Sequence, residues 1–259
     1  STLFPYTTLF RSNDLESHLI NRGCDGIKLE YFSDDYVTLY LQLVILLYAD
    51  DTVLFSDDPR DLQNSLDAFH DYCNEWKLSV NLSKTKVIVF GSGPAKSSKT
   101  KLYYGNELLE VVDSYCYLGV SFHRNRRFVH AIKELVTTGT KAMFALLKKS
   151  RNANLPLDCT LSAFDTMIEP ILLYGCDVWG FESIDSIEKI HIKFMKIASS
   201  LRNSTPTYML YGEFGRYPMY IKVYKRIMRF WHNMITNNHQ NKLPYNMYSL
   251  ILHVKRSEE

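Results

Sequence analysis

Two adjacent aspartates, Asp50 and Asp51, lie between two short apolar runs and constrain the fold more than any other feature. The runs, at residues 43–47 and 52–55, are typical of two β-strands joined by a tight turn. Neighbouring carboxylates repel each other at such a turn unless a cation lies between them. Their oxygens suit Mg²⁺, which keeps water and substrate phosphates in the rest of its shell. Without further context, the pair is more typical of a solvated turn, so the surrounding sequence has to decide.

The sequence before the aspartates predicts one helix and two strands. Residues 13–20 have the pattern of a helix that Gly23 ends, and a strand begins shortly afterwards. Asp34 and Asp35 then predict a turn into a long strand at residues 36–47. The two aspartates of the hairpin therefore come at the end of a strand-rich segment.

The segment after the hairpin predicts an amphipathic helix of about 18 residues. Asp57 and Asp58 precede Pro59, which is the usual order at a helix start. Apolar side chains then recur every three or four residues, at Leu62, Leu66, Phe69, Cys73 and Trp76. A turn at residues 81–85 and a strand at 85–90 complete this part of the chain.

Farther along, the predicted elements change from strands to helices. Residues 101–112 indicate a hairpin that turns at Gly105 and Asn106, and residues 115–120 indicate another strand. Helical spacing then covers residues 131–150, 157–174, 183–201 and 219–234. Pro170 predicts a kink or break in the second of these helices. The predicted fold class is therefore α+β, with the strands first and the helices after them.

Three of these stretches resemble motifs of one family. Tyr48-Ala49-Asp50-Asp51 between two apolar strands resembles the catalytic hairpin of reverse transcriptases. Asn81–Thr85, with Lys84, resembles that family's motif D, and Tyr117-Leu118-Gly119-Val120 resembles its primer grip. The resemblance is greatest to the polymerases of non-LTR, LINE-like retrotransposons. It implies a partial polymerase palm, made of antiparallel β-hairpins with a packed amphipathic helix, followed by an all-α, thumb-like region.

The resemblance also divides the chain. Residues 13–122 are expected to form the partial palm, and residues 123–259 the helical thumb and the region downstream of it. Residues 1–12 are expected to be an artefact, because residues 2–12 resemble the translation of a sequencing adapter.

The implied chemistry is RNA-directed DNA polymerisation with two Mg²⁺ ions. Asp50 and Asp51 match the family's paired metal ligands, and Lys84 matches the lysine that protonates or neutralises the leaving pyrophosphate. Lys86 is a neighbour that could serve instead. The family's third carboxylate lies on a strand far upstream, so the chain is expected to be an inactive fragment when it is alone.

The implied partners are an RNA template, a DNA primer and deoxynucleoside triphosphates. Residues 50–75 hold eight acidic side chains and one basic one, whereas residues 123–151 hold eight basic and one acidic. Each run alone is typical of a solvated helix face, but the succession suits a polymerase. The residues expected to contact nucleic acid are Tyr48, Tyr117, Leu118, Gly119, Arg124, Arg126, Arg127, Lys141, Lys148 and Lys149. On the residues alone, Gly119 is as readily explained by a bend in an edge strand.

Two other functions stay open. One is a nucleic-acid-binding remnant without catalysis, which would use the basic helical region. The weaker one is another two-carboxylate enzyme of phosphoryl transfer, such as a nuclease, although no histidine or glutamate cluster supports it.

Composition excludes several further classes. The five cysteines are scattered, which disfavours a zinc site or a disulfide framework and suits a reducing compartment, in the nucleus or the cytoplasm. The apolar run at residues 36–48 is too short to span a bilayer, so we expect no membrane association. The sequence does not predict an oligomeric state.

Overall fold

The computed structural model describes residues 14–33, 36–91, 101–182, 184–236 and 243–248. The adapter-like residues 1–12 and the turn predicted at Asp34 and Asp35 lie outside these ranges. Within the ranges, helices and small strand pairs are mixed, which is compatible with the predicted α+β class. None of the described helices is both long enough and apolar enough to cross a bilayer.

The helices are mostly in the second half of the chain. They are α1 (Leu15–Asn21), α2 (Pro59–Glu75), α3 (Val129–Asn152), α4 (Leu157–Ala163), α5 (Glu169–Leu172), α6 (Cys176–Trp179), α7 (Asp185–Ala198), α8 (Thr207–Glu213) and α9 (Met219–Thr236). A π-helical turn at Phe164–Ile168 joins α4 to α5. Residues 243–248 are also helical.

The strands are short and lie before the long helices. They are β1 (Ile27–Ser33), β2 (Tyr36–Leu43), β3 (Ile45–Tyr48), β4 (Asp51–Leu54), β5 (Lys86–Val87), β6 (Tyr103–Tyr104), β7 (Glu107–Leu108), β8 (Glu110–Val111), β9 (Ser114–Tyr117) and β10 (Val120–His123). Four pairs are antiparallel hairpins, namely β1–β2, β3–β4, β6–β7 and β9–β10, whereas β5 and β8 pair in parallel. Every sheet in the described residues has two strands.

The chain divides into two compact units. The first takes in the described residues of 1–89, 93–112 and 239–259, and the second those of 90–92 and 113–238. The domain boundary that the resemblance implies, at residue 122, stays a prediction.

Helix α2 organises the first unit. Asp58 caps its N-terminus by accepting hydrogen bonds from the backbone N–H groups of Arg60 and Asp61, at 2.9 and 3.3 Å. The Asp61 carboxylate in turn accepts the N–H groups of Asp25 and Gly26, just before β1. The apolar face of α2 lies in two small clusters. One holds α1 and the start of β3, and the other holds β5, β6 and Leu109. The amphipathic helix is thus confirmed.

The second unit has one larger core. Helices α3, α6 and α7 and the π-helical turn contribute its largest buried side chains, among them Phe164, Trp179 and Phe194. The helical hydrogen bonding changes from α to π at Phe164–Ile168, and Pro170 lies in the first turn of α5, directly after this change. The segment predicted as one helix at residues 157–174 is therefore three helical pieces.

Two predicted strands were wrong in extent. The strand predicted at residues 36–47 is two strands with different partners, because the chain leaves β1 at Val44 and then pairs with β4. The strand predicted at 85–90 contains residues 86 and 87 alone, opposite β8. Val89 and Phe90 are exposed and do not pair with β8. Apolar side chains alone are not enough to form a strand, because a strand also needs a partner strand.

Candidate active site

The two aspartates lie at the tip of the β3–β4 hairpin, as the sequence predicted. The register pairs Ile45 with Leu54 and ends with Tyr48 opposite Asp51. Asp51 is therefore the first residue of β4, and Asp50 lies in a two-residue turn with Ala49. The tight turn places the two carboxylates next to each other in the chain at the end of the hairpin.

The turn holds Ala49 in a left-handed backbone conformation, with φ at +52°. This conformation costs an L-residue with a Cβ atom roughly 1–2 kcal/mol, whereas glycine adopts it freely. Strain of this kind persists where the surrounding structure enforces it, and it concentrates at functional sites.

The base of the hairpin is buried and its tip is exposed. Val44 and Ile45 lie in the core with α1 and α2, and the N–H of Phe55 donates to the carbonyl of Val44 at 2.9 Å. Towards the tip, the exposed fraction rises from 7% at Ile45 to 64% at Tyr48. A rigid base thus carries the acidic turn into solvent.

Asp50 and Asp51 are both exposed. In the described part of the chain, neither carboxylate has a hydrogen bond or an ion pair. Their hard oxygen donors fit Mg²⁺, which needs one or two carboxylates besides water and phosphate oxygens. The described ranges contain no group of three or more histidine, cysteine, aspartate or glutamate side chains that could hold a metal ion. The pair would therefore supply part of a coordination shell rather than a closed cage.

Lys84 lies in an exposed turn of the same unit as the aspartates, ahead of β5. The N–H of Lys84 donates to the carbonyl of Asn81 at 3.1 Å, which shapes this turn. The alternative, Lys86, forms an ion pair with Glu110 at 2.6 Å and is mostly covered. Lys86 is thus engaged with Glu110 in the fold, and Lys84 stays the lysine predicted to act on the leaving group.

The primer-grip-like residues lie in the second unit, at the turn between β9 and β10. Leu118 and Gly119 have φ values of +48° and +77°, as a type I′ hairpin turn requires. The hydroxyl of Tyr174 donates to the carbonyl of Leu118 at 2.8 Å. A Cβ atom on Gly119 would lie 2.9 Å from the Tyr174 ring. Gly119 therefore belongs to a turn, and the expectation that it lies within a strand was wrong.

The basic residues of the second unit that were predicted to contact nucleic acid differ in their exposure to solvent. Arg124 is mostly covered and pairs with Asp113 at 3.5 Å. Arg126 and Arg127 are exposed in the loop after β10. Three further exposed side chains lie along α3, namely Lys141, Lys148 and Lys149. Arg126, Arg127 and the three lysines are thus better placed than Arg124 to meet a phosphate.

A buried polar cluster of the second unit was not found from the sequence. His191 is fully buried, with Nδ1 3.3 Å from Glu188, and its Nε2 accepts a hydrogen bond from Arg216 at 3.2 Å. Burial by itself would raise the pKa of Glu188. Hydrogen bonds from His191, Tyr211 and the N–H of Met219 outweigh that effect and hold the pKa below its ordinary value. The spacing of Glu188 and His191 is the one sequence signal, and it is common in helices.

Comparison with known proteins agrees with the hairpin and its surroundings. Residues 17–122 match the family model described as reverse transcriptase (RNA-dependent DNA polymerase). The RNA-directed DNA polymerase from mobile element jockey of Drosophila melanogaster is 27% identical over 175 residues, or 64% of this chain and 19% of the relative. The jockey polymerase of Drosophila funebris is 26% identical over 177 residues, or 65% and 19%.

A transposon-derived protein of Caenorhabditis elegans is 27% identical over 172 residues, which cover 64% of this chain and 58% of that protein. The chain thus spans about a fifth of the jockey polymerases. No solved structure shows a significant match.

The residues that match the reverse-transcriptase model, 17–122, include both the hairpin and the helix behind it, so this part of the chain is similar to reverse transcriptases. The same chain is similar to two polymerases of the mobile element jockey, at 26–27% identity.

Proposed function

We propose that the chain is part of an RNA-directed DNA polymerase of a non-LTR retrotransposon, with Asp50 and Asp51 as metal ligands. The observation that supports this most is the exposed acidic turn, where two carboxylates without partners among the described residues follow a strained alanine. The two-residue turn itself requires a positive φ at Ala49, so the support comes from the two adjacent, exposed carboxylates.

The residues of the hairpin have separate roles in this proposal. When bound, Mg²⁺ would supply positive charge that activates the primer 3′-hydroxyl and supports the leaving pyrophosphate. Asp50 and Asp51 would hold the metal through their carboxylate oxygens, and the packed base of β3 and β4 fixes the direction of these side chains. Tyr48, exposed beside them, contacts the primer or the incoming nucleotide. Lys84 donates a proton or positive charge to the leaving group from its exposed turn.

The second unit supplies nucleic-acid contacts in this proposal. The turn at Leu118 and Gly119, with Tyr117 before it, supports the primer backbone. The exposed cations of α3 and of the loop after β10 contact phosphates of the RNA template and DNA primer. Such contacts are tolerant of sequence and weaken as salt rises.

Metal binding tests the proposal without requiring polymerase activity. Mn²⁺ takes the same oxygen ligands as Mg²⁺ and is visible by electron paramagnetic resonance. We expect weak Mn²⁺ binding that Asp50→Asn or Asp51→Asn reduces at least several-fold and that Asp57→Asn, an exposed control outside the hairpin, leaves unchanged. Equal binding by all four chains would exclude a metal site at this turn.

Polymerase activity of the chain alone is a separate matter. The family it resembles uses a third carboxylate, and no third metal ligand accompanies the pair in the described residues. We therefore expect no primer extension by the 259-residue chain with Mg²⁺ and nucleotides. Extension that Asp50→Asn abolishes would contradict this expectation while supporting the assigned ligands.

A nucleic-acid-binding remnant without catalysis is the second candidate, and the exposed lysines Lys141, Lys148 and Lys149 favour it. It predicts salt-sensitive binding of an RNA–DNA duplex that survives both Asp50→Asn and Asp51→Asn. Absence of duplex binding at low salt would exclude it.

A further inference from the structure

Helix α9 has a covered face and an uncovered aromatic face. Met219, Val223 and Ile227 are buried where α9 packs against α6 and α7. On a neighbouring face, five side chains at intervals of four, four, three and four residues are 39–58% exposed. They are Tyr220, Tyr224, Met228, Trp231 and Ile235, and we call them the aromatic stripe.

The charges of α9 have one sign. Residues 219–236 contain four basic side chains and no acidic one. Two of the basic side chains are used within the fold: Lys222 pairs with Glu169, and Arg226 donates to the carbonyl of Leu173 at 3.2 Å. Lys225 and Arg229 are exposed, and in the described part of the chain neither has a partner. At about 3.6 residues per turn, Lys225 flanks the stripe next to Met228, whereas Arg229 lies farther round the helix. The uncovered side of α9 therefore combines aromatic rings with available cations.

The dimensions of the stripe suit a short single strand. The Tyr220 and Tyr224 rings meet edge to face, with centroids 6.2 Å apart and planes at 67°. Both rings are about half exposed, so part of each stays accessible to a ligand. From Tyr220 to Trp231 the helix rises about 16 Å at 1.5 Å per residue. A stacked strand advances about 3.4 Å per nucleotide, so this length corresponds to roughly five nucleotides.

A second helix fits this surface less well. Helix–helix seams prefer aliphatic side chains at such spacing, whereas three of the five positions here are aromatic. A second copy of α9 docked on the stripe would also bring Lys225 towards cations of its partner, and like charges repel. Bases stack on aromatic rings while cations contact the backbone, and this combination is common in single-strand binding proteins.

We propose that the aromatic stripe, with Lys225 and Arg229, binds single-stranded nucleic acid. Bases stack on Tyr224 and Trp231, and the two cations contact phosphates. This surface lies outside the reverse-transcriptase match at residues 17–122 and outside the basic run at 123–151, and it needs no metal ion. The proposal therefore does not rest on polymerase activity.

Tryptophan fluorescence can report binding at this surface directly. Trp179 is buried, so a Trp76→Phe background leaves Trp231 as the exposed tryptophan of the described residues. The probe is an oligouridylate of about 12 nucleotides, within the site sizes of single-strand binding folds. EDTA and Asp50→Asn remove any contribution of the metal pair. We expect the oligonucleotide to quench Trp231 and to bind more tightly than an RNA–DNA duplex of equal length.

Single substitutions distinguish the contribution of the aromatic stripe to binding from that of the rest of the molecule. Tyr224→Ala should weaken single-strand binding about tenfold, because one stacked base is lost. Tyr224→Phe keeps the ring and should bind as before. Phe230→Ala is the matched control, since Phe230 is an exposed ring on another side of α9. Lys225→Gln should lower the slope of log affinity against log salt by about one unit.

Three results would overturn the proposal. One is equal single-strand affinity of Tyr224→Ala and the Phe230→Ala control, with unchanged circular dichroism. Another is binding that leaves Trp231 fluorescence unchanged. The third is self-association that Tyr224→Ala abolishes while oligonucleotide affinity stays the same, because the stripe would then bind a second copy of the chain.

Discussion

Single residues with unusual backbone conformations mark both hairpin turns that resemble family motifs. Ala49 and Leu118 each have a positive φ without being glycine. The sequence predicted where the hairpin at Asp50 and Asp51 turns, because the apolar runs define its strands. It could not predict the strain, since neither alanine nor leucine indicates a left-handed conformation.

The strain at Ala49 leads to a stability prediction. Ala49→Gly should raise the free energy of unfolding by roughly 0.5–1 kcal/mol, because relief of the left-handed strain exceeds glycine's added chain entropy. Ala68→Gly, the same change inside α2, should lower it by about 1 kcal/mol or more. Urea titration followed by circular dichroism measures both. A loss of stability in Ala49→Gly would show that the turn is not strained.

At the scale of elements, the close approach of α6 and α9 depends on Gly180. A Cβ atom at Gly180 would lie 2.5 Å from the carbonyl oxygen of Cys176 and 2.6 Å from Val223 on α9. The packing of α6 against α9 thus requires a residue without a side chain at this position. No local pattern in the sequence indicates this requirement, because the contact with Val223 joins two distant segments of the chain.

Two glycine-to-alanine changes should therefore have opposite effects. Gly180→Ala should lower the free energy of unfolding by about 1–3 kcal/mol through overpacking. Gly212→Ala lies in α8 with no atom within 4 Å of the new Cβ and should raise it by up to about 1 kcal/mol. Thermal melts of the two variants compare them. A neutral Gly180→Ala variant would mean that α9 moves away at little cost.

The buried cluster around His191 makes the helical unit sensitive to acid. The pKa of Glu188 lies below its ordinary value of 4.5, so its ionisation stabilises the folded state fully above that pH. This stabilisation is lost as the pH falls through the lower, folded pKa. We expect the melting temperature to fall between about pH 5 and about pH 3, less steeply in Glu188→Gln than in the exposed control Glu213→Gln. If the melting temperatures of the two variants depended on pH in the same way, Glu188 would not be the source of the acid sensitivity.

At the scale of the whole molecule, the two units differ in their cores. Among the described residues, the helical unit has one cluster of 18 buried side chains, whereas the strand-rich unit has clusters of seven and five. Larger continuous cores resist opening better. We therefore expect backbone amides of α3 and α7 to exchange with deuterium more slowly than those of β3 and β4. Faster exchange in α3 and α7 would contradict this ranking.

Local patterns explain most of what the sequence predicted. Helix α2 and the turns near Asp50 and Gly105 follow from apolar spacing and turn residues within a few positions of one another. The ion pair of Lys86 with Glu110, the tight contact at Gly180 and the His191 cluster join distant segments, and no local pattern carries such information. For the same reason, the sequence predicts the acidic turn at Asp50 and Asp51 but not the cluster around Glu188.

The contact between Gly119 and Tyr174 has an evolutionary consequence. The phenol ring occupies the space that a Cβ atom at position 119 would need, and its hydroxyl binds the carbonyl of Leu118. The two positions should therefore covary among descendants of the same ancestor. A lineage that replaces the glycine should also carry a smaller side chain in place of Tyr174. A bulky pair at both positions would have to arise together with a displaced turn.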